Sequence, residues 1–334
     1  MVNSNIYNIS VITHYNYQSL MDHLGSGKDW DLARRSGGIK ILPPNITAYA
    51  NNRNALYTTR LEALKSVNNA INRITDEYVV LSDCDVICNV DFNDIINDHA
   101  KYGADMTVAV KRMYLTPAQA SMNVLYESDP DGRITDVLTY PTSFEGEADV
   151  SLNIVVMRTE YLHKILLDSI AHGYTSLTRE IIFKNLKYSN YRVYKYDGYF
   201  ACISSFADYY TASMDLIKSP EARASLFEVK NRPVLTKVRN SAPTYYSADS
   251  DVKNSLIADA CKIYGHVENS ILFRGVKVGR NTTVKNSILM QDTQTGENVY
   301  LNCVITDNNV VIRDSRMLSG IGENPYYVPK GKML

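Results

Sequence analysis

"NSILFRGVKVGRNTTVKNSILM", Asn269 to Met290, decides how the C-terminal part of this chain folds. It opens and closes on Asn-Ser-Ile-Leu, and related tetrapeptides begin at Asn254 ("NSLI") and Asn302 ("NCVI"). The four starts, at 254, 269, 286 and 302, lie 15, 17 and 16 residues apart. Between them Leu272, Val278, Val284 and Met290 keep a six-residue beat, and "VGRNTTV" places a glycine after an inward valine. A six-residue apolar beat inside a coil of about 17 or 18 residues is what a left-handed parallel β-helix requires, with three short faces per coil and an aliphatic side chain stacked on the coil below. Ordinary antiparallel strands with Asn and Gly turns give no reason for the tetrapeptide to recur. The β-helix is expected over residues 254–334.

Upstream the chain is written differently. Strand-like "YNISVITHY" is followed by a helix "YQSLMDHLG" closed by glycine. "LEALKSVNNAINRI" carries Leu61, Leu64, Val67 and Ile71 at helical spacing and leads into the strand "EYVVLSD". A helix "FNDIINDHAKYG", a strand "ADMTVAV", a charged turn "SDPDGRITDVLTY", a strand "VSLNIVVMR" and helices in "TEYLHKILLDSIAHG" and "TREIIFKNL" follow. This alternation predicts an α/β domain over residues 1–220 with a mostly parallel sheet covered on both faces. Ligands of such sheets sit at the carboxyl ends of the strands. Asp83 and Asp85 in "YVVLSDCDVICNVDF" come directly after such a strand. Residues 221–253 have no clean period and read as a connector.

The 334 residues suffice for two domains with their own cores. Apolar residues make up 45%, charged residues 21%, and the formal net charge is −1, which gives no electrostatic case for nucleic-acid or membrane partners. No apolar run approaches the length of a membrane span. The first residues lack the basic and apolar blocks of a signal peptide. Five cysteines suit reduced thiols in the cytoplasm better than a disulfide framework. Cys84 and Cys88 have no second pair or nearby His to complete a zinc set.

An α/β domain followed by a hexapeptide β-helix is the layout of sugar-nucleotide pyrophosphorylases. The strings "VITHYNYQSLMDHLGSGKDWDLARRSGG", "TRLEAL", "YVVLSDCDVICNVDF" and "YYVPKGKML" together resemble the glucose-1-phosphate adenylyltransferase (ADP-glucose pyrophosphorylase) family, and within it the GlgD-type subunit more than the catalytic GlgC-type one. The resemblance implies a Rossmann-like nucleotidyltransferase domain and a reaction joining ATP and glucose 1-phosphate to give ADP-glucose and pyrophosphate. Such chemistry needs a cradle for the triphosphate, cations at the attacked phosphorus and a cationic grip on the sugar phosphate.

Each requirement meets a departure. The family's glycine-rich loop, with its Arg and Lys, has no counterpart; the closest approaches are "SGG" at Ser36 to Gly38 and the spaced "LGSG". "MVNSNIYN" matches an internal part of the family domain, so the resemblance implies that roughly its first fifty residues lie outside this chain. A sheet lacking its first strand would expose unpaired edges, and an aggregation-prone chain is expected without a partner. Of the two aspartates that hold Mg²⁺ in catalytic relatives, Asp85 matches the first, while Cys202 in "GYFACISSFADYY" replaces the second. A neutral thiol is a poor ligand for so hard a cation. Tyr140 in "VLTYP" stands where the family's sugar-phosphate lysine stands, and Thr139 where its glutamate does. In "TTRLEAL", Thr59 replaces a glycine and Glu62 an aspartate of the nucleotide pocket.

Asp85 therefore has two readings, a working Mg²⁺ ligand or a loop aspartate capping backbone N–H groups beside Asp83 and Asp91. The three losses favour the second, a remnant, with Glu62, Tyr140 and Cys202 marking a degenerate substrate pocket. The resemblance implies a regulatory, non-catalytic subunit without a cofactor of its own, hetero-oligomeric with a GlgC-type subunit that carries the Mg²⁺. The alternative is an active nucleotidyltransferase whose N-terminus lies outside this chain. Arg34 and Arg35, with Lys28 and Lys40 nearby, are candidates for a phosphorylated effector or an ordinary basic turn. Arg274, Lys277, Arg280 and Lys285 form a second basic group. His266, alone among histidines in the repeat region, gives little support to a β-helix acyltransferase.

Overall fold

The run Met106–Val110 is wholly buried, as a strand covered on both faces must be, and it anchors the first half of the chain. The computed structural model describes residues 1–14, 17–44 and 57–334. Tyr15, at the end of the first expected strand, and Asn16 lie outside the described residues. Two compact units form, one of residues 1–86, 90–200 and 233–236, the other of residues 87–89, 201–232 and 237–334.

In the first unit β1 (Asn8–Ile12), α1 (Gln18–Leu24) and β2 (Gly38–Leu42) come first, and β1 pairs with β2 in parallel. The expected long helix from Leu61 is two short ones, α2 (Arg60–Ser66) and α3 (Asn68–Ile71), broken at Val67. Then come β3 (Tyr78–Ser82), β4 (Val86–Cys88), α4 (Phe92–Lys101), β5 (Met106–Leu115) and α5 (Pro117–Ala120). The charged turn is in fact a hairpin of β6 (Val124–Ser128) and β7 (Ile134–Thr139). β8 (Gly146–Arg158), α6 (Thr159–His172), a wide π-type helix Leu177–Phe183, β9 (Tyr191–Lys195) and β10 (Phe200–Cys202) follow. Helix starts are set locally: Asp91 caps α4 through Asn93 N at 2.9 Å, and Gly173 ends α6 in the left-handed region.

The main sheet runs β7-β6-β8-β5-β9, with β3 also on β8. It is mixed, which corrects the expectation of a mostly parallel sheet. β5 is parallel to β9, but β3, β5 and β6 are all antiparallel to β8. The helical crossovers do give β3, β5 and β9 one direction, as the alternation demands. The long strand β8 then inserts between β3 and β5 in the opposite sense. Leu61, Leu64, Val108, Met157, Leu166 and Ile182 are among the side chains packed in the core. A cavity of about 530 Å³ lies between β1 and β3, walled by Ile9, Ile12, Leu64, Val79 and Leu81.

The second unit is a left-handed parallel β-helix of three five-stranded sheets. One sheet stacks Val252, Val267, Val284, Leu301 and Leu318 in register; another stacks Ile257, Leu272, Leu289, Thr306 and Val328. Two registers differ from the sequence expectation. Leu289, not Met290, lies over Leu272. Left-handed backbone recurs at Asn254, Asn269, Asn286 and then Cys303, so the last repeat is offset by one from Asn302. The cause is the coil length: 15 residues from His266 back to Asp251 and 17 from His266 on to Thr283. Steps of 15 and 17 are not multiples of six, so each corner absorbs the remainder. The first coil also opens earlier, with strand Tyr245–Tyr246.

The repeated Asn-Ser has a physical role. Asn is the residue that best tolerates left-handed backbone after glycine, and its amide bonds to the next coil: Asn254 Nδ2 to Asn269 Oδ1 at 2.7 Å and Asn286 Nδ2 to Asn302 Oδ1 at 2.9 Å. The serine hydroxyls accept from backbone one coil on, Ser270 from Ser287 N and Ser287 from Val304 N, each at 3.1 Å. Gly279 is required by close approach, since a Cβ there would stand 1.9 Å from Gly296 O. Helix α7 (Phe206–Lys218) lays Tyr210, Met214 and Ile217 on Ile288 and Ile305, and α8 (Pro220–Phe227) follows within the expected connector.

Candidate functional site

The carboxyl end of β3 carries Asp83, and its partner comes from a helix start. Thr59 caps α2 by accepting from Glu62 N at 3.2 Å, and the Glu62 carboxylate accepts from Thr59 N at 3.2 Å and Thr58 N at 2.9 Å. This reciprocal box fixes the first turn and aims Arg60, the first helical residue, at the strand ends. The Arg60 guanidinium forms an ion pair with the Asp83 carboxylate. Its Nη2 also donates to Asn153 O at 2.9 Å.

Asn153 is available because β8 is irregular there. The β5–β8 register slips between Val108 and Val110, and Asn153 takes φ 55°. Its N–H bonds to Ser151 Oγ at 3.1 Å. A bulge of this kind re-aims a carbonyl that the ladder would otherwise use. Beneath, the phenol of Tyr126 on β6 is buried; burial raises its pKa, the Arg60 charge lowers it, and Tyr140 raises it. Arg60, Asp83 and Asn153 thus form one contact cluster at the end of β3, and the Arg60 charge is felt by Tyr126. Asp149, opposite Tyr126 in the sheet, is buried with Arg112 Nη1 3.5 Å from its Oδ1.

The sequence candidates divide as follows. Asp85 is half-buried in the turn between β3 and β4. The helix-capping role belongs to Asp91, which also accepts from Ser4 Oγ at 2.8 Å. Glu62 caps α2, and its carboxyl is held below the usual range chiefly by Thr58 N–H. Tyr140 follows β7 in the left-handed region at φ 54°, is 54% exposed, and donates its N–H to Asn123 O at 3.0 Å. Cys202 ends β10 and is carried by the second unit, where β10 pairs with β4. Arg34 is engaged locally: it pairs with the Asp31 carboxylate, donates Nε to Asp31 O at 2.7 Å, and covers the Tyr7 ring at 3.7 Å. Arg35 is exposed. On the β-helix, Arg274 donates to Lys237 O at 3.0 Å and Lys285 pairs with Glu268 at 2.9 Å. His266 bridges Asp251 and Glu268.

The resemblance implies Mg²⁺ near the end of β3, and the donors there do not fit it. Mg²⁺ takes octahedral oxygen coordination through one or two carboxylates with retained waters. Here the Asp83 carboxylate is held by Arg60, whose positive charge repels a cation. Among the described residues no group of three His, Cys, Asp or Glu side chains is placed to hold a metal. Sequence reading weighed Thr59 and Glu62 and passed over Arg60 between them. The signals were present: Thr-x-x-Glu marks a capping box, and a cation at the first helical position opposes the helix dipole, so a tertiary partner had to be sought.

Comparison with known proteins agrees with this organisation. The nucleotidyl transferase family model matches residues 1–217, and a GlmU-like C-terminal hexapeptide model matches residues 243–326. The glycogen biosynthesis protein GlgD of Bacillus subtilis (strain 168) is 33% identical over 331 residues, 99% of this chain and 84% of that protein. A glucose-1-phosphate adenylyltransferase of Thermotoga sp. (strain RQ2) is 33% identical over 295 residues, 85% of this chain and 66% of that protein. One from Fervidobacterium nodosum is 28% identical over 96% of this chain and 76% of its own length. Among the described residues no helix is long and apolar enough to cross a membrane. The chain, a nucleotidyltransferase domain joined to a hexapeptide β-helix, belongs to the glucose-1-phosphate adenylyltransferase family and is similar to GlgD along nearly its whole length.

Proposed function

We propose that this chain is a regulatory, non-catalytic subunit that assembles with a catalytic GlgC-type subunit and alters how that subunit joins ATP and glucose 1-phosphate in glycogen biosynthesis. The reading places the hetero-oligomer in the cytoplasm, with Mg²⁺ held by the catalytic partner and a phosphorylated small molecule as effector. The observation that supports it is the use of charge at the strand ends. Glu62 closes the α2 cap and Arg60 holds Asp83, so groups that could meet a triphosphate are bound to the chain itself. Tyr140 and Cys202, where the resemblance puts a lysine and an aspartate, bring no charge. Losing one member of a cooperative site lowers rate by orders of magnitude, and several losses compound.

A second reading, an active nucleotidyltransferase, is favoured by the 33% identity to a protein named glucose-1-phosphate adenylyltransferase. One assay separates the two. ADP-glucose synthesis is measured for this chain, for the catalytic subunit and for their mixture, across phosphorylated effectors. The expected outcome is no synthesis by this chain alone and a mixture whose rate or effector response shifts by a coupling of about 1–3 kcal/mol. Equal rates with and without this chain refute the subunit reading, and turnover by the chain alone establishes the second.

A further inference from the structure

We infer that Arg60 is a built-in counter-ion: its guanidinium holds the acidic end of β3 in place of a divalent cation. Three independent features carry this. The first is the ion pair itself, with the Arg60 side chain 20% exposed and Asp83 42% exposed, so the pair is partly withdrawn from water. The second is the cost of its origin. Arg60 is the first residue of α2, where the partial positive charge of the helix start disfavours a cation. A capping box alone would accept almost any residue there, so local helix formation does not explain the choice. The third is the bulge in β8, which bends Asn153 into left-handed backbone and supplies a carbonyl to the same guanidinium at 2.9 Å.

Together these hold one guanidinium nitrogen, Nη2, between a carboxylate and a carbonyl, with the positive charge of Arg60 set against Asp83. A divalent cation approaching Asp83 would have to displace Arg60 and leave its positive charge facing the positive helix start and the incoming metal, with its counter-ion lost. Removing Arg60 leaves Asp83 and Asp85, two residues apart at the strand end, as oxygen donors without that competing cation. The inference shares the Arg60–Asp83 pair with the subunit reading but concerns metal affinity, not turnover. A failed metal titration leaves the mixed-subunit assay untouched, and the reverse holds too.

The test is Mn²⁺ binding, read from the loss of the free-ion electron paramagnetic resonance signal, for the full chain and for Arg60→Thr. The wild type is expected to show no saturable binding at millimolar Mn²⁺. Arg60→Thr is expected to show saturable binding about tenfold or more below the millimolar range in which the wild type shows none, and adding Asp83→Asn to it is expected to abolish the gain. Arg60→Gln, which keeps a donor for Asn153 O and loses the charge, is the second variant if Arg60→Thr fails to fold, judged by circular dichroism. Saturable binding by the wild type overturns the inference, as does a folded Arg60→Thr or Arg60→Gln that gains nothing.

Discussion

Lowering the pH should loosen the first unit through one side chain, His99. It lies on α4, 1% exposed, with Nδ1 2.9 Å from the buried Thr107 hydroxyl and its ring edge-on to Tyr78. Nε2 is buried with no hydrogen-bond partner among the described residues. Burial, aided by the Arg158 charge and opposed by Asp105, lowers its pKa from 6.5 to about 4. In the unfolded chain the imidazole titrates near 6.5, so between about pH 6.5 and 4 the unfolded state holds the extra proton. Stability is therefore full above pH 6.5 and falls with pH until the native histidine protonates near 4. The whole window is worth about 3 kcal/mol, of which about 2 kcal/mol is lost between pH 7.5 and 5. Carboxylates titrate in the same range, so the wild type is compared with His99→Gln, which stays neutral. Urea unfolding followed by tryptophan fluorescence reports this unit, because the single tryptophan is Trp30. The stability difference between the two proteins should shift by about 2 kcal/mol in favour of the variant as pH falls from 7.5 to 5. Parallel curves would refute the buried neutral imidazole.

Two further expectations concern the corners and caps. Ser287→Ala strands Val304 N inside the β-helix, where Ser287 is fully buried, and should destabilise by about 1–3 kcal/mol, while Ser255→Ala at a half-buried corner should cost less. Far-ultraviolet circular dichroism melts of both variants check this, and equal losses would count against the hydroxyl's bond to the next coil. Thr59→Ala should cost about 1 kcal/mol by opening the α2 cap, and Glu62→Gln less than Glu62→Ala, since an amide oxygen still accepts from Thr58 and Thr59. Urea midpoints unchanged in all three would show that Glu62 does not serve the cap.

The β-helix was legible from Asn254 onward because its inward positions recur in the sequence itself. The offset at Cys303 was not, because the tetrapeptide recurs there after 16 residues while the coil keeps its 17-residue step. In the α/β unit the strands at Tyr78, Met106 and Val150 could be read, yet the reversed direction of β8, the β6–β7 hairpin and the neighbour of β3 could not. Nothing local to "YVVLS" says that the distant segment Gly146–Arg158 pairs with it. The same limit applied to the site. An aspartate after an apolar strand announced itself, whereas the reach of Arg60 to Asp83 and Asn153 depends on how α2 is set against a bulged strand. The two most telling residues, Arg60 and Asn153, were ordinary in composition and became informative only through position.

The constant 17-residue step between the middle coils also bears on how this part of the molecule can change in length. His266 faces Thr283 and Thr283 faces Tyr300, so residues 269–285 span one full circuit. Excising that circuit would join Glu268 to Asn286 and bring like against like, the rod simply one rung shorter. Removing one residue fewer would leave a surplus residue for a corner to absorb, as the corners do where the first coil is 15 residues long, and would add no height. The rod is therefore a ruler graduated in whole turns, and its length can vary only in those quanta.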